Sequence, residues 1–198
     1  MDESIGPHTR LDYQGSELEL FAKAANWKRY WSSKVRPFIA GNVIEVGAGL
    51  GTSTEYLCER HDGRWVCLEP DPRFASHLAD RISAGELPAC CKAACGVLAD
   101  LDPTERADTI LYIDVLEHIE TEFLDAVLLD LKDITRDLGF FSVHTGPAAK
   151  HLPDGRNAHL IQRSSSWWLP KFCQHFEIAH LQGSQGGFWV LAEPRSRA

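Results

Sequence analysis

The feature that most constrains this chain is an apolar run that leads directly into a glycine-rich turn. Residues 42–51 read Asn-Val-Ile-Glu-Val-Gly-Ala-Gly-Leu-Gly. The β-branched run predicts a strand buried on both faces, as in a parallel sheet. The glycines let the backbone approach a ligand at the strand end, where the next helix begins with unpaired N–H groups. The segment therefore predicts an α/β fold that binds a nucleotide-like molecule.

The spacing of the glycines distinguishes two kinds of ligand. A dinucleotide-binding turn has its third glycine at the sixth position, which is Thr52 here. The segment Gly47-Ala48-Gly49-Leu50-Gly51, preceded by Glu45, instead resembles motif I of the class I S-adenosylmethionine-dependent methyltransferases, whose cofactor carries no phosphate. The resemblance implies that S-adenosylmethionine is the cofactor, and that it contacts Glu45, Gly47, Ala48, Gly49 and Gly51.

A second match follows the second predicted strand, which ends at Glu69 and Pro70, two residues that we expect to contact the cofactor. Glu69 lies 18 residues after Gly51. In a doubly wound sheet this position is beside the ribose, where a carboxylate can accept hydrogen bonds from both hydroxyls. An ordinary surface acid is the alternative interpretation.

A third match lies at residues 107–119, which read Ala-Asp-Thr-Ile-Leu-Tyr-Ile-Asp-Val-Leu-Glu-His-Ile. This segment is similar to the fourth-strand motif of the same superfamily, which implies that the methionine end of the cofactor contacts Asp114 and Val115. The resemblance also implies an adenine contact at the turn after the third strand and a covering contact from an N-terminal helix. The residues at these positions are Gly96, Val97, Leu98 and Tyr30.

Strands and helices alternate five times and are followed by two strands at 176–181 and 187–192. This order predicts a doubly wound, Rossmann-like sheet of seven strands, mostly parallel, with an antiparallel C-terminal hairpin strand and helices on both faces. We expect one domain over 1–198. Its predicted parts are an arm and lid helix (1–40), a cofactor-binding core (41–145), and an acceptor loop with the closing hairpin (146–198). Periodicity further predicts helices over 52–60 and 123–137 and a third strand over 87–94.

Methyl transfer mainly requires alignment of the acceptor and, for a hydroxyl or ammonium acceptor, removal of a proton. His144 is the first candidate base because it ends the fifth strand and imidazole titrates near neutral pH. A packed structural histidine is the alternative interpretation of His144, and His118 and His159 are the next candidates. Trp167 and Trp168 could supply flat apolar surface for an organic acceptor.

Two patterns suggest metal ligands, but we predict no metal from either. Asp114, Glu117 and His118 resemble the acid-x-x-Glu-His of ubiquinone-pathway O-methyltransferases, yet Leu-Glu-His-Ile also occurs in relatives not known for a metal. The Cys90-Cys91-x3-Cys95 cluster lacks the paired C-x2-C spacing of a zinc site. We expect the cysteines to be buried thiols in a reducing compartment.

The net charge is −8, and residues 100–137 hold twelve acids against three bases. An acidic surface repels phosphate backbones, so we expect a small-molecule acceptor and no nucleic acid. No apolar run is long enough to cross a bilayer and no basic leader is visible, so we expect a cytoplasmic monomer or homodimer without a membrane partner. A nicotinamide-dependent oxidoreductase and a non-catalytic S-adenosylmethionine-binding protein are the alternative functions.

Overall fold

A computed structural model describes residues 25–102, 104–184 and 186–196. The predicted arm and the start of the lid helix lie outside the described residues. The helices are α1 (Ala25–Val35), α2 (Thr54–Leu57), α3 (Pro72–Ser83), α4 (Leu124–Ile134) and α5 (Ser165–His175). The strands are β1 (Val43–Val46), β2 (Trp65–Glu69), β3 (Cys91–Cys95), β4 (Ala107–Ile113), β5 (Thr135–His144), β6 (Phe176–Ser184) and β7 (Gly187–Pro194).

The strands form one seven-stranded sheet in the order β3-β2-β1-β4-β5-β7-β6. The pairs from β3 to β5 are parallel, whereas β7 pairs antiparallel with both β5 and β6. The strand order reverses between β1 and β4, and ligands of such sheets bind at this switch point, beyond the carboxyl ends of the strands. The predicted fold class is confirmed.

Alternating strand residues feed two apolar cores, one on each face of the sheet. Val66 and Leu68 of β2 join a core with α4 and α5, whereas Trp65 and Cys67 join a core with α1, α2 and α3. Side chains of a strand alternate between faces, so one apolar strand serves both cores. In the described part of the chain, no helix has both the length and the apolarity needed to span a lipid bilayer.

Several predicted element bounds were wrong. The helix predicted over 52–60 is the four-residue α2, and the third strand begins at Cys91 rather than 87. The helix predicted over 123–137 ends at Ile134, and β5 starts at once with Thr135. Gly139 lies inside β5, where a side chain would not fit because its Cβ would lie 2.4 Å from the Phe141 ring. The hairpin strands are longer than predicted.

Candidate active site

The glycine turn after β1 depends on backbone conformations that side chains disfavour. Gly47, Gly49 and Gly51 have φ values of +70°, +56° and +72°. A Cβ on Gly47 would lie 2.6 Å from Cγ2 of Val115, in the loop that follows β4. The first and third sequence matches therefore meet at the switch point of the sheet.

Glu69 connects the end of β2 to this turn. One carboxylate oxygen accepts a hydrogen bond from the Gly49 N–H at 2.8 Å, and the other accepts from the Asp71 N–H at 2.9 Å. Burial raises the pKa of Glu69, and these two backbone bonds act in the opposite direction. Each carboxylate oxygen has a second lone pair, so two ribose hydroxyls can still be accommodated.

Glu45 lies behind the turn and does not face the cleft. It is 2% exposed, and one of its oxygens accepts hydrogen bonds from the Thr54 hydroxyl at 2.7 Å and the Trp65 indole N–H at 2.9 Å. Burial raises its pKa to about 7. The Glu45 carboxyl is thus enclosed by β2 and α2, and the contact of this residue with the cofactor stays a prediction.

The loop after β4 is held by β5. The Asp114 N–H donates to the carbonyl of Ser142, and the Ser142 hydroxyl donates to the Asp114 carboxylate at 2.7 Å. Asp114 has φ +52°, one of two non-glycine residues with positive φ in the described chain. Such conformations cluster at functional sites. Desolvation raises the pKa of Asp114, although the residue still has solvent access on the side of the cleft.

The remaining predicted cofactor contacts differ in their exposure and in the hydrogen bonds that they already make. Gly96, with φ +151°, donates its N–H to the carbonyl of Glu69. The Val97 N–H donates to Asp100 at 2.9 Å, so it is already engaged, and Leu98 packs on one of the apolar cores. Tyr30 is 56% exposed, and its ring lies beside Lys34 of the same helix.

A cavity of about 410 Å³ lies beyond the carboxyl ends of β4 and β5. Its apolar lining includes Trp31 from α1, Ile113, and Phe188 and Trp189 from β7, and its polar lining includes Asp114 and His144. This volume lies within the range of small-molecule sites, which are mostly apolar with a few polar groups. From α1, Trp31 lines this cavity and Tyr30 does not.

The three candidate histidines form one row. The ring centroid of His159 lies 4.9 Å from that of His118 and 4.9 Å from that of His144. Nδ1 of His159 is 2.7 Å from the Gly146 carbonyl, and Nδ1 of His118 is 2.9 Å from the Ala158 carbonyl. Among the three, His144 lines the cavity.

Glu117 lies beneath this row and is fully buried. One of its oxygens accepts the His144 backbone N–H at 2.7 Å, and the other is buried with no hydrogen-bond partner. Burial first, and then the nearby charge of Asp114, raise the pKa of Glu117 to about 8. A neutral Glu117 avoids an uncompensated buried charge.

The alternative metal site at Asp114, Glu117 and His118 is not supported by these contacts. The three side chains turn to three different partners, which are Ser142, the His144 backbone and the Ala158 carbonyl. Their ligand atoms do not form a group within 4.8 Å of one another in the described structure.

Comparison with known proteins agrees with the geometry. Residues 44–141 match the family model described as a methyltransferase domain. The complex of DhpI with SAH has a TM-score of 0.70 at 16% identity, with 92% of this chain and 93% of that chain covered. An S-adenosylmethionine-dependent methyltransferase from Clostridium acetobutylicum has a TM-score of 0.69 at 10% identity, with 91% and 96% covered. Residues 44–141, about half of the chain, are therefore a methyltransferase domain.

Longer relatives share the fold over part of their length. The mitomycin 7-O-methyltransferase MmcR has a TM-score of 0.66 at 16% identity, covering 90% of this methyltransferase. The match spans 57% of the MmcR chain. Among curated proteins, none matches this sequence.

The groups at the switch point fit S-adenosylmethionine, the cofactor of this methyltransferase. A buried carboxylate beside a glycine turn suits the neutral hydroxyls of a ribose and repels phosphate, which disfavours a dinucleotide. The positive-φ turn offers backbone approach without side chains. The match therefore extends from the sequence motifs to the chemistry of the groups that surround the cleft.

Sequence reasoning missed several residues of the acceptor side. Trp31, Phe188 and Trp189 were not singled out by the sequence patterns, and all three pack in the apolar cores and also line the cavity. Trp168, in contrast, is fully buried in the core beneath the sheet, and Trp167 packs against that core. The expected acceptor surface at Trp167 and Trp168 is therefore wrong, because the apolar side of α5 packs inward.

Proposed function

We propose that this methyltransferase transfers a methyl group to an oxygen or nitrogen atom of a small organic acceptor. The observation that carries the proposal is the cavity of about 410 Å³ beside the switch point, which combines aromatic walls with His144 and Asp114. Its size suits a compact organic molecule rather than a macromolecule. The mitomycin methyltransferase, whose name specifies an oxygen acceptor, is consistent with this class of substrate.

In this proposal the cofactor lies across the glycine turn, with its ribose on Glu69 and its methionine end on Asp114 and Val115. The bound cofactor supplies an electrophilic methyl group on a sulfonium. The acceptor enters from the side of Trp31 and Trp189, whose rings exclude water from the transfer path. Removal of bulk water and alignment of the acceptor supply most of the rate enhancement expected for an in-line displacement.

His144 is assigned the role of general base. It lines the cavity, and its backbone is held by the buried Glu117. Gly186, in the turn between β6 and β7, leaves space beside the ring, because a Cβ there would lie 2.7 Å from Nε2 of His144. Nδ1 of His144 lies 3.3 Å from both the carbonyl oxygen and the backbone nitrogen of Gly146. This nitrogen can therefore donate to the carbonyl or accept from the N–H, so the loop accommodates either neutral tautomer of His144. His118 and His159 complete the row behind it.

A methylation screen with two variants tests this assignment. The enzyme is incubated with isotopically labelled S-adenosylmethionine and a fractionated metabolite extract, and turnover is then measured on the acceptor identified. His144→Ala should lower turnover by on the order of 10². It should leave S-adenosylhomocysteine affinity within about 0.5 kcal/mol, because the cofactor contacts are separate. His77→Ala, exposed on α3, is the matched control and should change neither quantity.

The outcomes separate the possible roles. If His144→Ala loses cofactor binding and turnover together, His144 is structural or belongs to the cofactor site. If turnover is unchanged, the base is His118, His159 or no side chain. If the wild-type protein binds S-adenosylhomocysteine but labels no fraction below the size of a protein, the small-molecule acceptor is wrong.

A further inference from the structure

The thiols of Cys58, Cys90 and Cys91 lie together at the amino end of β3, away from the proposed cofactor site. Sγ of Cys58, the residue that ends α2, lies 3.4 Å from Sγ of Cys90 and 3.5 Å from Sγ of Cys91. All three sulfur atoms lie within 4.8 Å of one another. Among the described residues, this is the one group of three or more Cys, His, Asp or Glu side chains that meets this distance.

The spacing of the sulfur atoms matches that of thiolates around a single cation. With zinc–sulfur bonds of about 2.3 Å, tetrahedral ligands lie about 3.8 Å apart. The Sγ–Sγ distances of 3.4 and 3.5 Å are a few tenths of an ångström shorter, and so a small outward movement of the thiols would admit the ion. A disulfide uses two sulfur atoms, whereas a third thiol is present here.

Burial and location indicate a structural role. Cys58 and Cys91 are 0% and 3% exposed, whereas Cys90 is half-buried and offers a path for the ion. Cys91 pairs with Trp65, at the amino ends of β3 and β2, whereas Glu69 lies at the carboxyl end of β2. The thiol cluster is therefore at the amino ends of these strands, whereas the glycine turn is at the carboxyl ends.

We propose that Cys58, Cys90 and Cys91 bind one thiophilic d¹⁰ cation, zinc(II) or copper(I), which fastens the end of α2 to the start of β3. Thiolates are soft ligands and select these ions over magnesium or calcium. Each thiol releases its proton to solvent as its sulfur coordinates the ion. The bound ion would link Cys58 to Cys90 and close the loop between them, which contains β2 and α3. This cross-link would lower the conformational entropy of the unfolded state.

The test uses the full chain, purified under reducing conditions and stripped with a chelator. Addition of one equivalent of zinc should raise Tm by roughly 5 to 10 °C when free zinc exceeds Kd a hundredfold. One equivalent of cobalt(II), a spectroscopic substitute for zinc, should give a thiolate-to-metal charge-transfer band. X-ray absorption on the zinc-loaded protein should show sulfur ligands at about 2.3 Å. A parallel titration with copper(I) against a chromogenic competitor determines which ion binds more tightly.

Cys90→Ser is the main variant, because its half-buried site tolerates a hydroxyl without disturbing the core. It should lose the cobalt band and the zinc-dependent rise in Tm while its metal-free Tm stays near that of the wild type. Cys58→Ser should also lose the cobalt band and the zinc-dependent rise in Tm, but its metal-free Tm should fall because the new hydroxyl is fully buried. Cys173→Ser, exposed on α5, is the matched control and should keep both signals.

Three outcomes would overturn the proposal. The first is a wild-type protein with no stoichiometric cobalt band and no Tm response to zinc or copper(I). The second is a Cys90→Ser variant that binds metal like the wild type. The third is a loss of two titratable thiols on exposure to air, with formation of a Cys58 disulfide in the presence of equimolar zinc. Activity is not needed for any of these readouts.

Discussion

Glu69→Ala should damage the cofactor site in two measurable ways. In the free protein the carboxylate accepts the buried N–H groups of Gly49 and Asp71 at 2.8 and 2.9 Å. Each N–H that loses its acceptor costs about 1–3 kcal/mol, so the free energy of unfolding should fall by roughly 2–6 kcal/mol. The lower end applies if water enters the space that the side chain leaves. Loss of charge-assisted bonds to the ribose should weaken S-adenosylhomocysteine binding by a further ~1.5–3 kcal/mol, roughly 10- to 150-fold.

Urea unfolding without ligand measures the first quantity, and calorimetric titration with S-adenosylhomocysteine measures the second on protein that is shown to be folded. Asp71→Asn is the matched control. Its side chain is directed to Arg73 at the start of α3, where Asn caps a helix as well as Asp does, so affinity should be unchanged. A folded Glu69→Ala variant with wild-type affinity would refute the ribose contact, and one with wild-type stability would refute the bracing of the glycine turn.

Three further results are expected. The pKa of Glu117 is about 8 against an ordinary value of 4.5, so the folded chain retains a proton that the unfolded chain releases. The free energy of unfolding should therefore fall as pH rises from about 5 to 8. In Glu117→Gln, urea unfolding should show a decrease over this pH range that is smaller by on the order of 3–5 kcal/mol. The same pH slope in the variant and the wild type would contradict this. Gly47→Ala should lower the free energy of unfolding by about 1–3 kcal/mol and reduce S-adenosylhomocysteine affinity, because the added Cβ would lie 2.6 Å from Val115. Gly155→Ala is the control: its φ is also positive, at +85°, but the space around it is open, so the variant should retain full affinity. Calorimetry should detect S-adenosylhomocysteine binding and no NAD binding, and the reverse result would overturn the cofactor assignment.

The cofactor half of the molecule could be predicted because its signals are local. The glycine turn, its preceding strand and Glu69 each depend on a few adjacent residues whose conformation follows from their own chemistry. The order of strands and helices then fixes which strand ends are neighbours, because parallel crossovers are right-handed and ligands bind at the switch point. The contact between Gly47 and Val115 is the structural counterpart of that reasoning.

The acceptor half depends on which face of each element is turned inward, and single-sequence patterns do not determine this. Trp31 and Tyr30 are adjacent on one helix, yet Trp31 lines the cavity and Tyr30 is exposed. The thiol cluster was missed for a related reason. Cys90 and Cys91 have no C-x2-C spacing, and Cys58 reaches them from a different element, 32 residues earlier along the chain. Long-range pairing of this kind has no local signature.

The position of β7 has a consequence for how the molecule is assembled during synthesis. Although β7 follows β6 along the chain, it lies between β5 and β6 in the sheet. A nascent chain that extends only as far as Ser184 cannot attach β6 to the sheet, and it leaves the backbone of β5 without its partner on that side. An unpaired apolar strand edge is a template for aggregation. Partially emerged chains should therefore need protection by a chaperone or the ribosome surface until Phe188 and Val190 emerge to pair with Val143 and Phe141.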